Sequence, residues 1–172
     1  MTAQTLPNGV NATAVVAYAQ RLQESAPTDG TRFGASVSWR GGFRNQIDVR
    51  DLAPTFADEP EVLGGTNTAA NPVELILGAL GSCLSIGYTA GATARGITIR
   101  DLRIDLEGTI DLPVFFGLKD GHAGYEDIAV TVHLDTDAGP DEVQALHDAV
   151  LRTSPVGHTL ARPAVVRVDL AG

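Results

Sequence analysis

A run of twenty residues without a charged side chain, from Leu75 to Ala94, constrains the fold of this chain more than any other feature. The run is about as long as a membrane-spanning helix. However, Leu and Ile fill only six of its positions, while Gly, Ala, Ser and Thr fill most of the others and contribute little to membrane insertion. We therefore expect no membrane span and predict a buried helix at the centre of a soluble protein, in which Gly87 and Gly91 let neighbouring elements approach closely.

Composition and charge place this helix in a single acidic domain. With 172 residues and 44% hydrophobic content, the chain can build one sizeable core, so we predict one domain over residues 1–172 with a helical arm at residues 1–30. The net charge of -9 argues against nucleic acid and anionic membranes as partners, because both attract clustered Lys and Arg. The N-terminus lacks a basic start followed by an apolar run, so we expect a cytoplasmic protein.

Before the central helix, the sequence predicts a short helix and an antiparallel hairpin. Apolar residues recur at helical spacing after a candidate N-cap at Asn11, and the residues Pro27 to Gly30 end that helix. Two stretches of alternating apolar residues then flank Gly41-Gly42, which is a typical hairpin turn. Leu52 to Phe56 is a candidate continuation of this ribbon, and residues 57–71 lack periodicity and predict a long loop.

After the central helix, alternating apolar residues predict two long strands, followed by a helix and a final strand. The alternation changes phase near Arg100, which indicates a bulge or a strand start. Pro140 at the N1 position, with acidic residues in the first turn, opens a helix that ends near Ser154-Pro155. The remaining predictions are strands within residues 97–110 and 128–134, a loop over Pro113 to Gly124, and a last strand over Ala164 to Leu170.

This order of elements predicts an α+β fold rather than a doubly wound sheet, because strands lie towards both ends of the chain and a buried helix lies between them. The N-terminal hairpin could pair with the C-terminal strands of the same chain or with those of a second chain. The sequence leaves both arrangements open.

Four stretches resemble the OsmC/Ohr family, and the most specific of them contains Asn-Pro, Glu and the run Ala-Leu-Gly-Ser-Cys-Leu. The stretches are WRGGFR at Trp39 to Arg44, Asp58 to Cys83, Gly96 to Gly108, and SPVGHTLARP at Ser154 to Pro163. The resemblance implies an intertwined α+β homodimer, with antiparallel sheets around the central helix and active sites at the dimer interface. Enzymes of the family reduce organic hydroperoxides with a peroxidatic Cys, a resolving Cys, and an Arg and a Glu that activate the first thiol, and dithiols such as lipoyl groups regenerate them.

The resemblance places Cys83 at the peroxidatic position and Arg44 at the position of the activating Arg. Ser154 stands where the family has its resolving Cys, so an oxidised Cys83 could not form an intramolecular disulfide. Any peroxidase would therefore use one cysteine and an external thiol or dithiol as reductant. Ser154 is instead a candidate donor of a hydrogen bond to the thiolate.

Glu74 lies one residue after the position of the family's activating Glu, which is occupied by Val73. The nine helical residues from Glu74 to Cys83 turn the two side chains roughly 180° apart at about 100° per residue. Glu74 also has a structural interpretation, because Asn71 as N-cap, Pro72 at N1 and Glu three residues after the cap form a capping box. The spacing favours capping over catalysis.

The role of Cys83 itself has two interpretations. Apolar burial raises the pKa of a thiol unless a cation or a helix N-terminus lowers it, and Arg44 is the candidate cation. A cysteine within a helix is otherwise a small core residue. We predict a one-cysteine thiol peroxidase that reduces organic hydroperoxides in defence against oxidative stress. The alternative is a non-enzymatic homodimer that binds a small apolar ligand, in which Cys83 is structural.

The other polar residues predict neither a metal nor a cofactor. The four histidines show no ligand spacing and the chain has no second Cys, so we expect no metal site. His158 follows Ser154 by four residues, but no nucleophile-elbow pattern surrounds that serine. Gly64-Gly65 lacks the Lys-Ser/Thr of a phosphate loop and is expected to form the turn before the central helix.

Overall fold

The computed structural model describes residues 7–28, 30–162 and 164–172. These residues form two compact units: the N-terminal unit is Thr13–Gly78, and the C-terminal unit is Ala79–Gly172 together with the described residues up to Ala12. The helices and strands are α1 (Ala12–Glu24), β1 (Ser36–Trp39), β2 (Asn45–Asp48), β3 (Thr55–Ala57), α2 (Pro72–Arg95), β4 (Ile99–Ile110), α3 (Leu112–Phe115), β5 (Tyr125–Thr136), α4 (Pro140–Thr153) and α5 (Pro155–Ala161). Short 3-10 helices lie at Pro7–Gly9 and Glu61–Leu63.

The N-terminal unit contains α1 and a three-stranded antiparallel sheet. β2 is the middle strand, and it pairs with β1 on one edge and with β3 on the other. In the turn between β1 and β2, Gly41 and Gly42 have φ angles of 97° and 55°, which glycine adopts without a steric penalty. These elements confirm the predicted helix and hairpin, and the third strand begins at Thr55 rather than at Leu52.

The C-terminal unit is built on a long antiparallel pair of strands, β4 and β5. Their register shifts between Ile99 and Asp101, which is the bulge that the change of phase near Arg100 predicts. Alternate residues of the two strands pack against a core of buried side chains from α2, α4 and the segment before β4. That core consists of Leu80, Leu84, Tyr88, Ala92, Ile97, Leu146 and Val150.

Helix α2 contributes a stripe of side chains at every fourth residue to this core, namely Leu80, Leu84, Tyr88 and Ala92. The hydroxyl of Tyr88 is hydrogen-bonded to Nδ1 of His147 on α4. Burial raises the pKa of Tyr88, so the phenol keeps its proton. By length and composition α2 also meets the criterion for a membrane span, with a mean hydropathy of 1.5. One face of α2 packs against α4 and the β4–β5 pair, as in a core helix.

Two glycines of α2 lie where this helix approaches α4. A Cβ atom at Gly91 would lie 2.7 Å from Cδ1 of the buried Leu146, and one at Gly87 would lie 3.0 Å from Cγ1 of Val150. Both distances are shorter than ordinary van der Waals contact. The predicted close approach at these two glycines is therefore confirmed.

A Gly91→Ala substitution is expected to destabilise the protein, although alanine is the better helix former. Forcing a methyl group into a packed core costs about 1–3 kcal/mol, whereas replacing a helical glycine by alanine gains about 1 kcal/mol. Gly78→Ala on the same helix is the matched control, because a Cβ there meets no atom within 4 Å. In denaturant unfolding, the free energy of unfolding of Gly91→Ala should be lower than that of the wild type, and that of Gly78→Ala should be higher. The reverse order would contradict the packing described above.

The final strand predicted over Ala164 to Leu170 is wrong. Residues 164–172 have no regular secondary structure, and their large apolar side chains are exposed, that of Leu170 completely (100%). A strand requires hydrogen bonds to a neighbouring strand. Within the described part of the chain, no strand pairs with this segment. Alternating apolar and polar residues thus favour an extended backbone, but a strand forms only where another strand is available to pair with it.

Two short helices lie where the sequence predicts none. Helix α3 occupies the start of the predicted loop over Pro113 to Gly124, because the Asp111 carboxylate accepts a hydrogen bond from the backbone N–H of Val114. Helix α5 begins at Pro155. Each has a capping side chain and a proline in its first two positions, which favours a helix start. Four and seven residues are too few for helical periodicity to be recognised in the sequence.

Candidate functional site

Cys83 and Ser154 lie side by side in the C-terminal unit. Cys83 is half-buried in the middle of α2, and its Sγ atom lies 3.3 Å from Oγ of Ser154, which is 5% exposed. The two residues are 71 positions apart in the sequence, and the chain folds so that the end of α4 meets this face of α2. Ser154, which stands where the family has its resolving cysteine, is therefore in contact with the thiol of Cys83.

The junction between α4 and α5 fixes the Ser154 side chain. Pro155 disfavours a helical conformation at the residue before it, so α4 ends and Ser154 adopts an extended conformation. The Ser154 hydroxyl then caps α5 by accepting a hydrogen bond from the backbone N–H of Gly157 at 3.1 Å. A hydroxyl has one proton and two lone pairs. Since Gly157 uses a lone pair, the proton stays available for the sulfur of Cys83.

A cavity of about 470 Å³ opens beside this pair. Besides Cys83 and Ser154, it is lined mostly by small and apolar side chains of α2, α4 and α5, among them Ala79, Ile86, Ala90, Val150 and Val156. A site of this volume and lining accommodates a small apolar molecule. None of its lining residues carries a charge, so a cation that stabilises a thiolate would have to come from outside this lining.

Arg44, the predicted cation, lies in the N-terminal unit, immediately before β2. Its Nη1 atom donates a hydrogen bond to Oγ1 of Thr68 at 2.6 Å. Its guanidinium lies over the ring of Phe56, 4.5 Å from the ring centroid, which is a cation–π contact. The side chain is therefore held in a defined orientation within its own unit. Its pairing with Cys83 stays a prediction from the resemblance.

Asp58 is a buried charge that the sequence analysis does not identify. It is 1% exposed and lies at the start of the long loop that precedes α2. Its carboxylate accepts hydrogen bonds from the side chains and backbone N–H groups of Thr66 and Thr68, and from the backbone N–H of Glu59. The side-chain bond from Thr66 and the backbone bond from Thr68 hold the pKa of Asp58 far below its usual range.

The same loop explains the two adjacent glycines. A Cβ atom at Gly65 would lie 1.8 Å from the backbone carbonyl oxygen of Glu59, so only glycine fits where the loop folds back around Asp58. The prediction that Gly64-Gly65 forms a turn is confirmed. One feature of the sequence could have identified the role of Asp58: it is an Asp followed by two Thr residues in a loop without periodicity. Side chains of these types form hydrogen bonds with nearby backbone groups.

Glu74 caps α2, as its spacing predicts. Its carboxylate accepts a hydrogen bond from the backbone N–H of Asn71 at 2.8 Å, and its own backbone N–H donates to Oδ1 of Asn71 at 2.9 Å. These reciprocal bonds are a capping box, which satisfies two backbone donors at the start of the helix. The carboxylate of Glu74 is therefore engaged at the start of α2.

The histidines do not form a catalytic pair or a metal site with these residues. Nε2 of His158 contacts the backbone carbonyl oxygen of Arg152 at 3.0 Å, while the Ser154 hydroxyl is shared between Cys83 and Gly157. Within the ranges that the structure describes, no three His, Cys, Asp or Glu side chains are arranged to hold a metal ion.

Comparison with known proteins gives one family match and several similar structures. The model of the family described as OsmC-like protein matches residues 65–169. An OsmC-like protein from Mycoplasma pneumoniae is 19% identical, with a TM-score of 0.65 over 76% of this chain and 88% of that chain. Organic hydroperoxide resistance proteins from Legionella pneumophila and Elizabethkingia anophelis are 18% and 17% identical, with TM-scores of 0.54 and 0.55. They cover 76% and 75% of this chain, and 90% and 87% of their own lengths.

At these identities the structural likeness shows the fold alone. It confirms the predicted α+β architecture with antiparallel sheets and a long central helix. None of the curated proteins compared with the chain matches it significantly.

Proposed function

The chain belongs to the family of OsmC-like proteins, and on that premise we propose that it reduces organic hydroperoxides with Cys83 as its one reacting cysteine. The observation that carries the proposal is the contact of Cys83 with a hydroxyl donor inside an apolar cavity. The description of two structurally similar proteins as organic hydroperoxide resistance proteins supports the same reaction class. The role proposed for the protein is defence against organic peroxides in the cytoplasm.

In the first step, the Cys83 thiolate attacks one oxygen of the hydroperoxide. A sulfur–oxygen bond forms, the oxygen–oxygen bond breaks, and the alkoxide takes up a proton from water and leaves as an alcohol. The sulfur is oxidised to a sulfenic acid while the peroxide is reduced. The Ser154 hydroxyl donates a hydrogen bond to the thiolate, and Arg44 supplies the positive charge that favours the thiolate over the thiol.

In the second step, an external dithiol restores the enzyme. One of its thiolates attacks the sulfur of the sulfenic acid, water leaves, and a mixed disulfide forms. The second thiol of the reductant then displaces Cys83, which is released as a thiol, and the reductant leaves as a cyclic disulfide. Ser154 cannot act as a resolving residue because a hydroxyl does not form a disulfide.

We also propose that the active protein is a homodimer. Only 22% of the most apolar stretch of α2 is buried inside the chain, and Ile86, which lines the cavity, is 69% exposed. Trp39 and Val37 on β1 are likewise exposed. Apolar surfaces of this kind are typical of obligate interfaces, and a second copy of the chain is the partner that the family resemblance implies.

A coupled assay tests the reaction. The protein should consume cumene hydroperoxide when dihydrolipoamide is present, and more slowly with the monothiol glutathione, which must supply two molecules per turnover. Hydrogen peroxide should be the poorer substrate, because the cavity lining is apolar. Consumption no faster than with the reductant alone would contradict the proposal.

A second candidate function rests on the same cavity. Its uncharged lining would also hold a small apolar ligand without any reaction at sulfur. In that case the protein would bind such a ligand equally well with and without the thiol of Cys83.

A further inference from the structure

We propose that Thr68 positions the guanidinium of Arg44, with Asp58 fixing the orientation of the Thr68 hydroxyl; this inference rests on the proposed function, in which Arg44 stabilises the Cys83 thiolate. The three residues belong to the N-terminal unit. Arg44 donates to Oγ1 of Thr68 at 2.6 Å, and that hydroxyl donates to Oδ2 of Asp58 at 2.9 Å. The side chains thus form a continuous chain of hydrogen bonds from the cation to a buried carboxylate.

The direction of these bonds follows from the protons available. An ionised carboxylate accepts hydrogen bonds and donates none. Asp58 stays ionised because hydrogen bonds from five donor groups of Glu59, Thr66 and Thr68 stabilise the charged form. The single proton of the Thr68 hydroxyl therefore points to Asp58, and its lone pairs face Arg44. A hydroxyl polarised in this way attracts a cation more strongly than a freely rotating one.

The guanidinium is held from a second direction by the ring of Phe56, at 4.5 Å from the ring centroid. An aromatic face attracts the cation but does not fix the rotation of the guanidinium in the plane above the ring. A hydrogen bond donated by one of its nitrogens fixes that rotation. A guanidinium has five N–H donors, and Thr68 takes one of them. Donors therefore remain for a thiolate or a peroxide oxygen. The loop around Asp58 in this way determines how Arg44 presents them.

Two threonine variants separate positioning from loop stability. Thr68→Val and Thr66→Val each remove one hydroxyl that bonds Oδ2 of Asp58, at 2.9 Å and 2.5 Å respectively. Only the Thr68 hydroxyl also bonds Arg44. Thr66→Val should therefore lose at least as much stability in denaturant unfolding as Thr68→Val, while only Thr68→Val releases the guanidinium. Thr68→Ser retains the hydroxyl and should behave as the wild type.

The first readout is the rate at which cumene hydroperoxide oxidises Cys83 in a single turnover, measured as a function of pH. A hydrogen bond to a charged group is strong enough to change this rate about tenfold at neutral pH. We expect Thr68→Val to slow the reaction by about that factor and to shift its pH profile to higher pH. Thr66→Val and Thr68→Ser should stay within about twofold of the wild type. Equal slowing in both valine variants would assign Thr68 a structural role and overturn the proposal.

The second readout does not depend on peroxide chemistry. Nitrogen NMR of the arginine side chains, assigned with Arg44→Lys, reports whether rotation of the Arg44 guanidinium is hindered. Rotation should be slow in the wild type and in Thr66→Val, and fast in Thr68→Val. Fast rotation in the wild type would overturn the proposal. An unreactive Cys83 together with this NMR pattern would reject the peroxidase function and leave the positioning of Arg44 standing.

Discussion

A Ser154→Cys variant is expected to form an intramolecular disulfide with Cys83 when an organic hydroperoxide is added. The two side-chain atoms are 3.3 Å apart in the wild type, whereas a disulfide needs about 2.0 Å, so a small side-chain movement suffices. The new thiol would attack the sulfenic acid of Cys83 and expel water. Intact mass of the oxidised variant should show the loss of two hydrogen atoms, and a thiol assay should find neither thiol free. Intact mass of the oxidised wild type should show the gain of one oxygen atom.

A Ser85→Cys variant is the matched control for this result. It adds one thiol to the same helix, but residues two positions apart on a helix do not face each other. It should therefore keep the sulfenic acid of the wild type and form no disulfide within the chain. If Ser154→Cys also formed none after Cys83 had been oxidised, the contact between the two positions would be contradicted.

Cys83→Ser is expected to abolish the reduction of cumene hydroperoxide to the level of the reductant alone. A serine hydroxyl is hardly ionised at neutral pH, so no nucleophile would remain, while the small volume change preserves the packing of α2. Cys83→Ala should be equally inactive. The denaturation midpoint and the oligomeric state of both variants, measured beside the wild type, control for their folding.

The same variant distinguishes the two candidate functions. If the cavity serves only to bind an apolar ligand, Cys83→Ser should bind a hydrophobic fluorescent probe as well as the wild type does, and the wild type should show no peroxide turnover. If the protein is a peroxidase, the variant should bind the probe but lose turnover. Undiminished turnover in Cys83→Ser would contradict the assignment of Cys83 as the reacting residue.

The elements that the sequence predicts well are those whose signals are local. The capping box of Asn71 and Glu74 places the start of α2, because both partners lie within one helical turn. The bulge at Arg100 follows from a change of phase in the alternation of one strand. The close approach at Gly87 and Gly91 follows from small residues within a long apolar helix.

The elements that the sequence misplaces depend on partners that lie far away in the chain. Ala164 to Leu170 has the alternation of a strand, but pairing decides its structure, and no strand of the described chain pairs with it. Asp58 reaches its role through donors eight and ten residues later, in a loop without periodicity. The contact of Ser154 with Cys83 spans 71 residues, and only the family resemblance brought the two positions together at the level of sequence.

The most direct test of the central claim follows the free thiol of Cys83 after the reduced wild-type protein is mixed with cumene hydroperoxide in a stopped-flow instrument. We predict that the thiol disappears many times faster than free cysteine reacts at the same pH, and that intact mass shows the addition of one oxygen atom. A thiol that stays free and a mass that stays unchanged would contradict the account, and the cavity beside Cys83 would then be a binding site for an apolar ligand.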